Sequence, residues 1–389
     1  MKKGRDVYIV GVGMTKFERS EKGFPQLAKE AGEEALKMAG IKYNAVEQAY
    51  CGYVTGMSTS GQRAVYGLGM TGIPVYNVNN NCSSGSTAMY LGYQAVSAGI
   101  NECVLALGFE KMEKGPLENT LQGKKLNEEE RAEQKKKVPM TARIFGDAGR
   151  AHMKEYGTTK EDFAKISVKN HNHSVNNPRS QYQDPCTLQE VLESREVYDP
   201  LTLLQCCPTS DGSAAVILAS EEFVKKNNLL GSAVKIRSMT MTTDKMEDFA
   251  LGPIGMAGYG MTKAASKHVY EEAGVAPTDI QVIELHDCFS TNELLSYEGL
   301  ELVEQGEAVK LVRDGANTYG GQWVINPSGG LLSKGHPMGA TGLAQASEIV
   351  WQLTGQADKR QVEGARLGLT HNLGLGGACV VGIYEGPSS

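Results

Sequence analysis

An α/β protein built from two similar halves is the fold class predicted by the 389-residue sequence, and three observations carry it. Short β-prone runs alternate with amphipathic helical patterns, the order expected of largely parallel sheets with helices on their faces. The order of elements restarts near residue 231, after a first round that closes on the apolar run Ala214 to Ala219. Polar, glycine-rich turns follow several strands, and in open α/β sheets ligands bind beyond the carboxyl ends of strands. A chain of this length exceeds the ~250–300 residues at which single cores stop growing. Two units are therefore expected: residues 1–230, with an excursion at about 115–210, and residues 231–389.

Taken in order, Val7 to Val12 reads as a buried strand, with Gly11-Val12-Gly13 as a turn, because the third glycine of a dinucleotide fingerprint is missing. Pro25 to Ala39 is a helix opened by proline and closed by Gly40. Val46 to Val54 and Pro74 to Val78 are extended, a helix follows Cys82, and Glu102 to Leu107 is a strand ending at Gly108. The mixed-charge run Gly115 to Pro139 reads as a solvated excursion, with a lid over a phosphorylated ligand as the sharper alternative. Phe145 to Tyr156 and Thr159 to Ser174 are helical. His171 and His173, two apart, point to different helix faces and are not a metal pair. In the second round Val234 to Ser238 and Ile280 to Leu285 are strands, Thr262 to Ala273 and Ala344 to Leu353 helices, and Cys379 to Tyr384 the last strand.

Composition bounds the function. A net charge of −6 argues against a nucleic-acid surface. No apolar run reaches the ~20 residues of a membrane span, and the charged start runs straight into a strand, so no signal peptide is expected. Eight cysteines without a regular framework suit a reducing compartment.

Four turns carry the chemistry. Asn79-Asn80-Asn81-Cys82-Ser83-Ser84-Gly85-Ser86-Thr87 sets a cysteine between a strand and the start of a helix, where free N–H groups are expected to lower the thiol pKa. The others are His286-Asp287-Cys288-Phe289; Asn326-Pro327-Ser328-Gly329-Gly330 with Gly335-His336-Pro337 close behind; and His371-Asn372-Leu373-Gly374-Leu375-Gly376-Gly377, read as a turn before the last strand. Cys206-Cys207-Pro208 is a further turn to which no role is given.

In this combination and order the motifs resemble those of the thiolases, most closely the type found in sterol carrier protein X, along essentially the whole chain. The resemblance implies a five-layered αβαβα fold of two repeated halves, usually dimeric. It also implies cleavage of 3-oxoacyl-CoA by CoA, to acetyl-CoA or propionyl-CoA and a shortened acyl-CoA, in β-oxidation of fatty, branched-chain or sterol side-chain acyl groups. Cys82 matches the acylated nucleophile. His336 matches the base that activates it, and His286 stands where most thiolases carry asparagine. Asn372-Leu373-Gly374 matches a Cys-x-Gly loop but lacks its cysteine, so the proton-exchanging thiol is assigned to Cys288, with Cys379 the competitor that reads as core. Backbone N–H groups of Cys82 and Gly374 are the expected oxyanion hole, with Asn326 and Asn372 in support. CoA is a co-substrate and no metal or redox cofactor is called for, while the residues that hold CoA are not assigned. The implied compartment is the peroxisome, with mitochondrial or cytoplasmic placement as alternatives and no targeting signal visible. A related condensing synthase and a non-catalytic acyl-CoA- or lipid-binding protein are the rival readings.

Overall fold

The computed structural model describes residues 4–112 and 138–387. The mixed-charge run from Gly115 falls outside these as far as Lys137. Ten strands build the main sheet: β1 (Val7–Met14), β2 (Gln48–Gly52), β3 (Val75–Val78), β4 (Cys103–Glu110), β5 (Gly212–Ser220), β6 (Val234–Thr242), β7 (Val282–Glu284), β8 (Val324–Ile325), β9 (Leu367–Gly374) and β10 (Ala378–Glu385). Before residue 231 they stand in the order β3-β2-β4-β5-β1, and after it in the order β8-β7-β9-β10-β6. Numbered from the first strand of each round, both orders are 3-2-4-5-1. The two sets join where β1 runs antiparallel to β6, Val7 opposite Ile236 and Ile9 opposite Val234.

Seven helices matter for the site: α1 (Phe24–Ala39), α2 (Ser84–Ser97), α3 (Met140–Tyr156), α4 (Lys160–Ser174), α5 (Tyr259–Ala273), α6 (Ser290–Gly299) and α7 (Met338–Leu353). Helix α1 covers β1 and β5 from outside, α5 covers β6 and β10, and α2 and α7 pack together between the two strand sets. That gives the αβαβα layering. All sixteen residues of α7 are buried, as a helix enclosed by sheet on both sides must be. Burial of Leu343, Ile349 and Val350 there stabilises the central layer by ~1.5–3 kcal/mol each.

Several sequence expectations need correction. The sheet is mixed rather than largely parallel: β2 is parallel to β3 and β4, and β7 to β8 and β9, whereas β5 and β10 run against their neighbours. The excursion explains β5. It leaves the sheet after Glu110 and returns at Gly212, which lies directly opposite Glu110, so the strand must run back. Gly11 and Gly13 lie inside β1 and form no turn. They are glycines because α1 crosses there; a Cβ on Gly11 would stand 2.2 Å from the Ala35 carbonyl oxygen. Strand β4 runs past Gly108 to Glu110, and His371 to Gly374 belong to β9, so the turn is confined to Leu375, Gly376 and Gly377. Helix α7 starts at Met338 rather than Ala344, its glycine-rich first turn having read as loop.

Candidate active site

The turn that carries Cys82 is tied on both sides of it. Ser83 N–H donates to Asn80 O at 3.1 Å and Ser84 N–H to Asn81 O at 3.0 Å. The Ser84 hydroxyl donates to Asn81 O at 2.6 Å and accepts from Asn80 N–H at 2.9 Å. Asn81 takes a positive φ of 48°, which asparagine tolerates better than most residues. The result is a fixed elbow on which the Cys82 side chain meets a cavity of about 700 Å³.

The expectation of a depressed thiol pKa is wrong. Burial, with the carboxyl of Glu110 as a secondary cause, pushes the Cys82 thiol up to about 12, and a backbone N–H hydrogen bond opposes this without prevailing. The helix start supplies a few tenths to ~1 kcal/mol, which is less than the cost of forming an anion on a largely desolvated sulfur.

His336 reaches Cys82 through a crossing of α7 and α2. His336 lies just before α7, and Gly339 in the first turn fits where a Cβ would stand 2.4 Å from Phe109 O and 2.6 Å from Gly52 O. Gly85 of α2 faces the Gly339 carbonyl equally closely. Small residues on both helices let the two N-termini touch, and Cys82 and His336 ride on them. Glu110 adds a clasp by accepting from Gly339 N–H at 3.0 Å and from Val54 and Thr55 N–H.

Hydrogen bonding sets the tautomers. Thr341 Oγ1 donates to Pro337 O at 3.0 Å, so its contact with His336 Nδ1 at 2.7 Å is one in which the ring N–H donates. The His336 Nε2 lone pair is then free; this atom is buried and has no partner among the described residues. Burial holds the His336 pKa down at about 3, which keeps the ring neutral. His286 is arranged the other way. The Asn372 amide donates to Nδ1 at 3.2 Å, which puts the ring proton on Nε2. Burial and the neighbouring His336 and His371 hold His286 well below the usual imidazole value. The two rings meet edge to face with centroids 5.1 Å apart. The Cys82 sulfur and the nearest nitrogens of both rings all lie within 4.8 Å of one another.

Cys288 lines the same cavity, its thiol pushed well above the ordinary value by burial and then by Cys207, Cys82 and Asp287. Cys379 does not line it; buried in β10, its sulfur lies 3.8 Å from Thr262 Oγ1. Gly374 packs on the elbow, and a Cβ there would stand 2.2 Å from Asn80 O. Asn326 stands behind the cavity instead of in it. Its Oδ1 accepts from Leu285 N–H at 2.8 Å and fixes the end of the segment that carries His286.

Other residues went unassigned in the sequence. Cys206 and Cys207 line the cavity, and Cys207 N–H donates to Cys288 O at 2.9 Å. The Asp287 carboxylate accepts from Leu331 N–H at 2.6 Å, Leu332 N–H at 3.2 Å and Asn170 Nδ2 at 2.8 Å, which pins the His286–Phe289 loop. The doubled cysteine was a visible signal. Thr341, Met338, Phe289 and Leu373 lay inside or just behind the quoted turns without a role given to them, and Phe145 and Met256 of the apolar wall had no signal.

Residues 7–222 match the family model "Thiolase, N-terminal domain" and residues 255–382 the model "Thiolase C-terminal domain-like". The chain is 56% identical over 390 residues to the protein of Bos taurus named "Sterol carrier protein 2", an alignment covering 97% of this chain and 72% of that protein. It is 38% identical over 388 residues to the "Acetyl-CoA acetyltransferase" of Methanothermobacter thermautotrophicus, covering 98% and 100% respectively. The crystal structure of human mitochondrial 3-ketoacyl-CoA thiolase superposes with a TM-score of 0.73, covering 99% of both chains at 18% identity, which bears on the fold alone. Together with the repeated 3-2-4-5-1 sheets, these matches place the chain in the thiolase family.

Proposed function

We propose that the protein is a 3-oxoacyl-CoA thiolase of the acetyl-CoA/propanoyl-CoA C-acyltransferase type. The observation that carries this is the unpartnered, buried Nε2 lone pair of His336, on a ring with a nitrogen within 4.8 Å of the Cys82 sulfur. His336 takes the Cys82 proton as the sulfur attacks the 3-oxo carbon of the substrate, which splits the acyl transfer into two steps. The tetrahedral oxyanion is held by the backbone N–H groups of Cys82 and Gly374. Its collapse breaks the C2–C3 bond and leaves the acyl group on Cys82. The departing enolate receives N–H donors from His286 Nε2 and the newly protonated His336. Cys288 then delivers a proton to C2, releasing acetyl-CoA, or propionyl-CoA from a 2-methyl substrate. In the second half the CoA thiol gives its proton to the Cys288 thiolate and attacks the acyl-Cys82 carbonyl. The resulting thioester leaves as the shortened acyl-CoA, and the His336 proton returns to Cys82.

Thiolysis of straight-chain and 2-methyl 3-oxoacyl-CoA with free CoA tests the reading. Cleavage to two acyl-CoA products is expected. Acylation of Cys82 without cleavage would favour a condensing synthase. A homodimer and peroxisomal residence belong to the same proposal. Strand β3 is a sheet edge with its own Tyr76 exposed, a surface suited to a second copy; light scattering and a fluorescent fusion test the two.

A further inference from the structure

The histidine at 286 does more than replace one hydrogen-bond donor by another. With asparagine there, the cavity would offer a cysteine and one imidazole; with His286 it offers one sulfur and two imidazoles, all within 4.8 Å of one another. One sulfur and two ring nitrogens are a ligand set that suits Zn²⁺ better than Mg²⁺ or Ca²⁺. Three protein ligands with an open fourth position are also the number found where zinc keeps one site for an outside molecule.

The surroundings of both rings are those of metal ligands. His336 Nδ1–H is held by Thr341 Oγ1, and its Nε2 is buried with no partner among the described residues. On the other side, Asn372 Oδ1 is buried and equally unpartnered while the amide nitrogen faces His286 Nδ1. Turning that amide over sets the oxygen against Nδ1, moves the ring proton there and frees the Nε2 lone pair. Asn372 thus serves either state of His286: donor to a thioester oxygen, or ligand. Zn–N bonds of ~2.0–2.1 Å and Zn–S bonds of ~2.3 Å give a tetrahedron with edges of roughly 3.5 Å. Closing the three ligands onto one ion takes about an ångström, well within side-chain adjustment.

We propose that Cys82, His286 and His336 form a reversible, inhibitory Zn²⁺ site. Binding makes a Zn–S bond and two Zn–N bonds and releases the Cys82 proton to solvent, with no change of oxidation state. The bound ion removes nucleophile and base together. The binding claim stands on the ligand geometry, and only the word inhibitory rests on the thiolase reading.

Co²⁺, a spectroscopic substitute for Zn²⁺, is titrated into the reduced, metal-free full chain. One equivalent is expected to produce a thiolate-to-cobalt charge-transfer band that Zn²⁺ abolishes. Cys82→Ser should remove the band, while His286→Asn and His336→Ala each weaken binding by at least about 10–100-fold. Cys186→Ser, at a half-buried thiol that does not line the cavity, should bind as the native chain does, with circular dichroism confirming that every variant is folded. Thiolysis should be inhibited by Zn²⁺, competitively with the acyl-CoA, and recover with EDTA. Absence of a band at one equivalent overturns the proposal. So does a band that survives Cys82→Ser or persists undiminished without the histidines, because the metal would then sit on other thiols. A chain that binds cobalt as described yet cleaves no substrate would sink the thiolase reading and leave the metal site standing.

Discussion

The resting site holds a neutral thiol and a neutral imidazole side by side. With Cys82 pushed up to about 12 and His336 held at about 3, the proton stays on sulfur until substrate arrives. An ion pair would require both shifts to reverse. Alkylation of Cys82 by iodoacetamide should therefore keep accelerating with pH past the ordinary thiol value of ~8.5. A plateau near neutrality would show a preformed thiolate. Cys82→Ala should abolish turnover with the thermal melt unchanged. Cys288→Ala should still accept an acyl group on Cys82 yet fail to break the C2–C3 bond of a 3-oxoacyl-CoA. Cys379→Ala should keep that activity; if Cys379 is the variant that loses it, the proton donor has been misassigned. These residue types were legible because cysteine and histidine beside glycine-rich turns are conspicuous. The direction of the Cys82 shift was not, since a local helix-start argument carries no information about the distant groups that desolvate the sulfur.

The decisive element is the crossing of α2 and α7. Nothing in the run Gly335-His336-Pro337-Met338-Gly339 says that it begins a helix; glycine there reads as loop until the partner backbones of β2, β4 and α2 are in place. Gly339→Ala should cost about 1–3 kcal/mol from overpacking against backbone that has nowhere to move. It should also lower kcat beyond the stability effect by pushing His336 away from Cys82, as urea melts and steady-state kinetics would show; full activity would mean that the helix start can slide. Strand β9 was hidden for a related reason. Its polar residues are buried, and their partners lie far away in sequence: the His371 ring meets Thr262 Oγ1 at 3.0 Å and His286 N–H at 3.4 Å, and the Asn372 amide nitrogen meets His286 Nδ1 at 3.2 Å. A residue-by-residue pattern sees polarity and reads a turn.

Across the whole molecule, the two strand sets share one order and divide the labour: the first supplies Cys82, the second His286, Cys288, His336 and Gly374. Bringing them together buries several imidazoles, and this sets an acid limit on stability. His173, wedged between Asn326 O at 2.9 Å and Thr318 Oγ1 at 2.7 Å, is held at about 3 by burial, as are His336 and His371. In the unfolded chain each takes a proton near ~6.5. Below that value the unfolded state binds more protons, so this contribution falls as pH drops from ~6.5 toward 3. The loss reaches about 2 kcal/mol per histidine between pH 7 and pH 5. The destabilisation caused by His173→Gln should accordingly shrink by about 2 kcal/mol over that interval in chemical denaturation. A constant difference would mean that His173 is already protonated in the fold.

The sequence by itself determined the α/β class and the thiolase kinship, because periodicity, turn chemistry and ordered motifs of reactive residue types are local. The tertiary structure alone decided which strands run antiparallel, that α7 is the enclosed central helix, that Cys206 and Cys207 join the cavity, and which tautomer His336 holds. Those outcomes depend on Thr341, Asn372, Gly339 and Glu110 meeting partners from distant parts of the chain, and electrostatics in a closed cavity is set by all the groups around it at once.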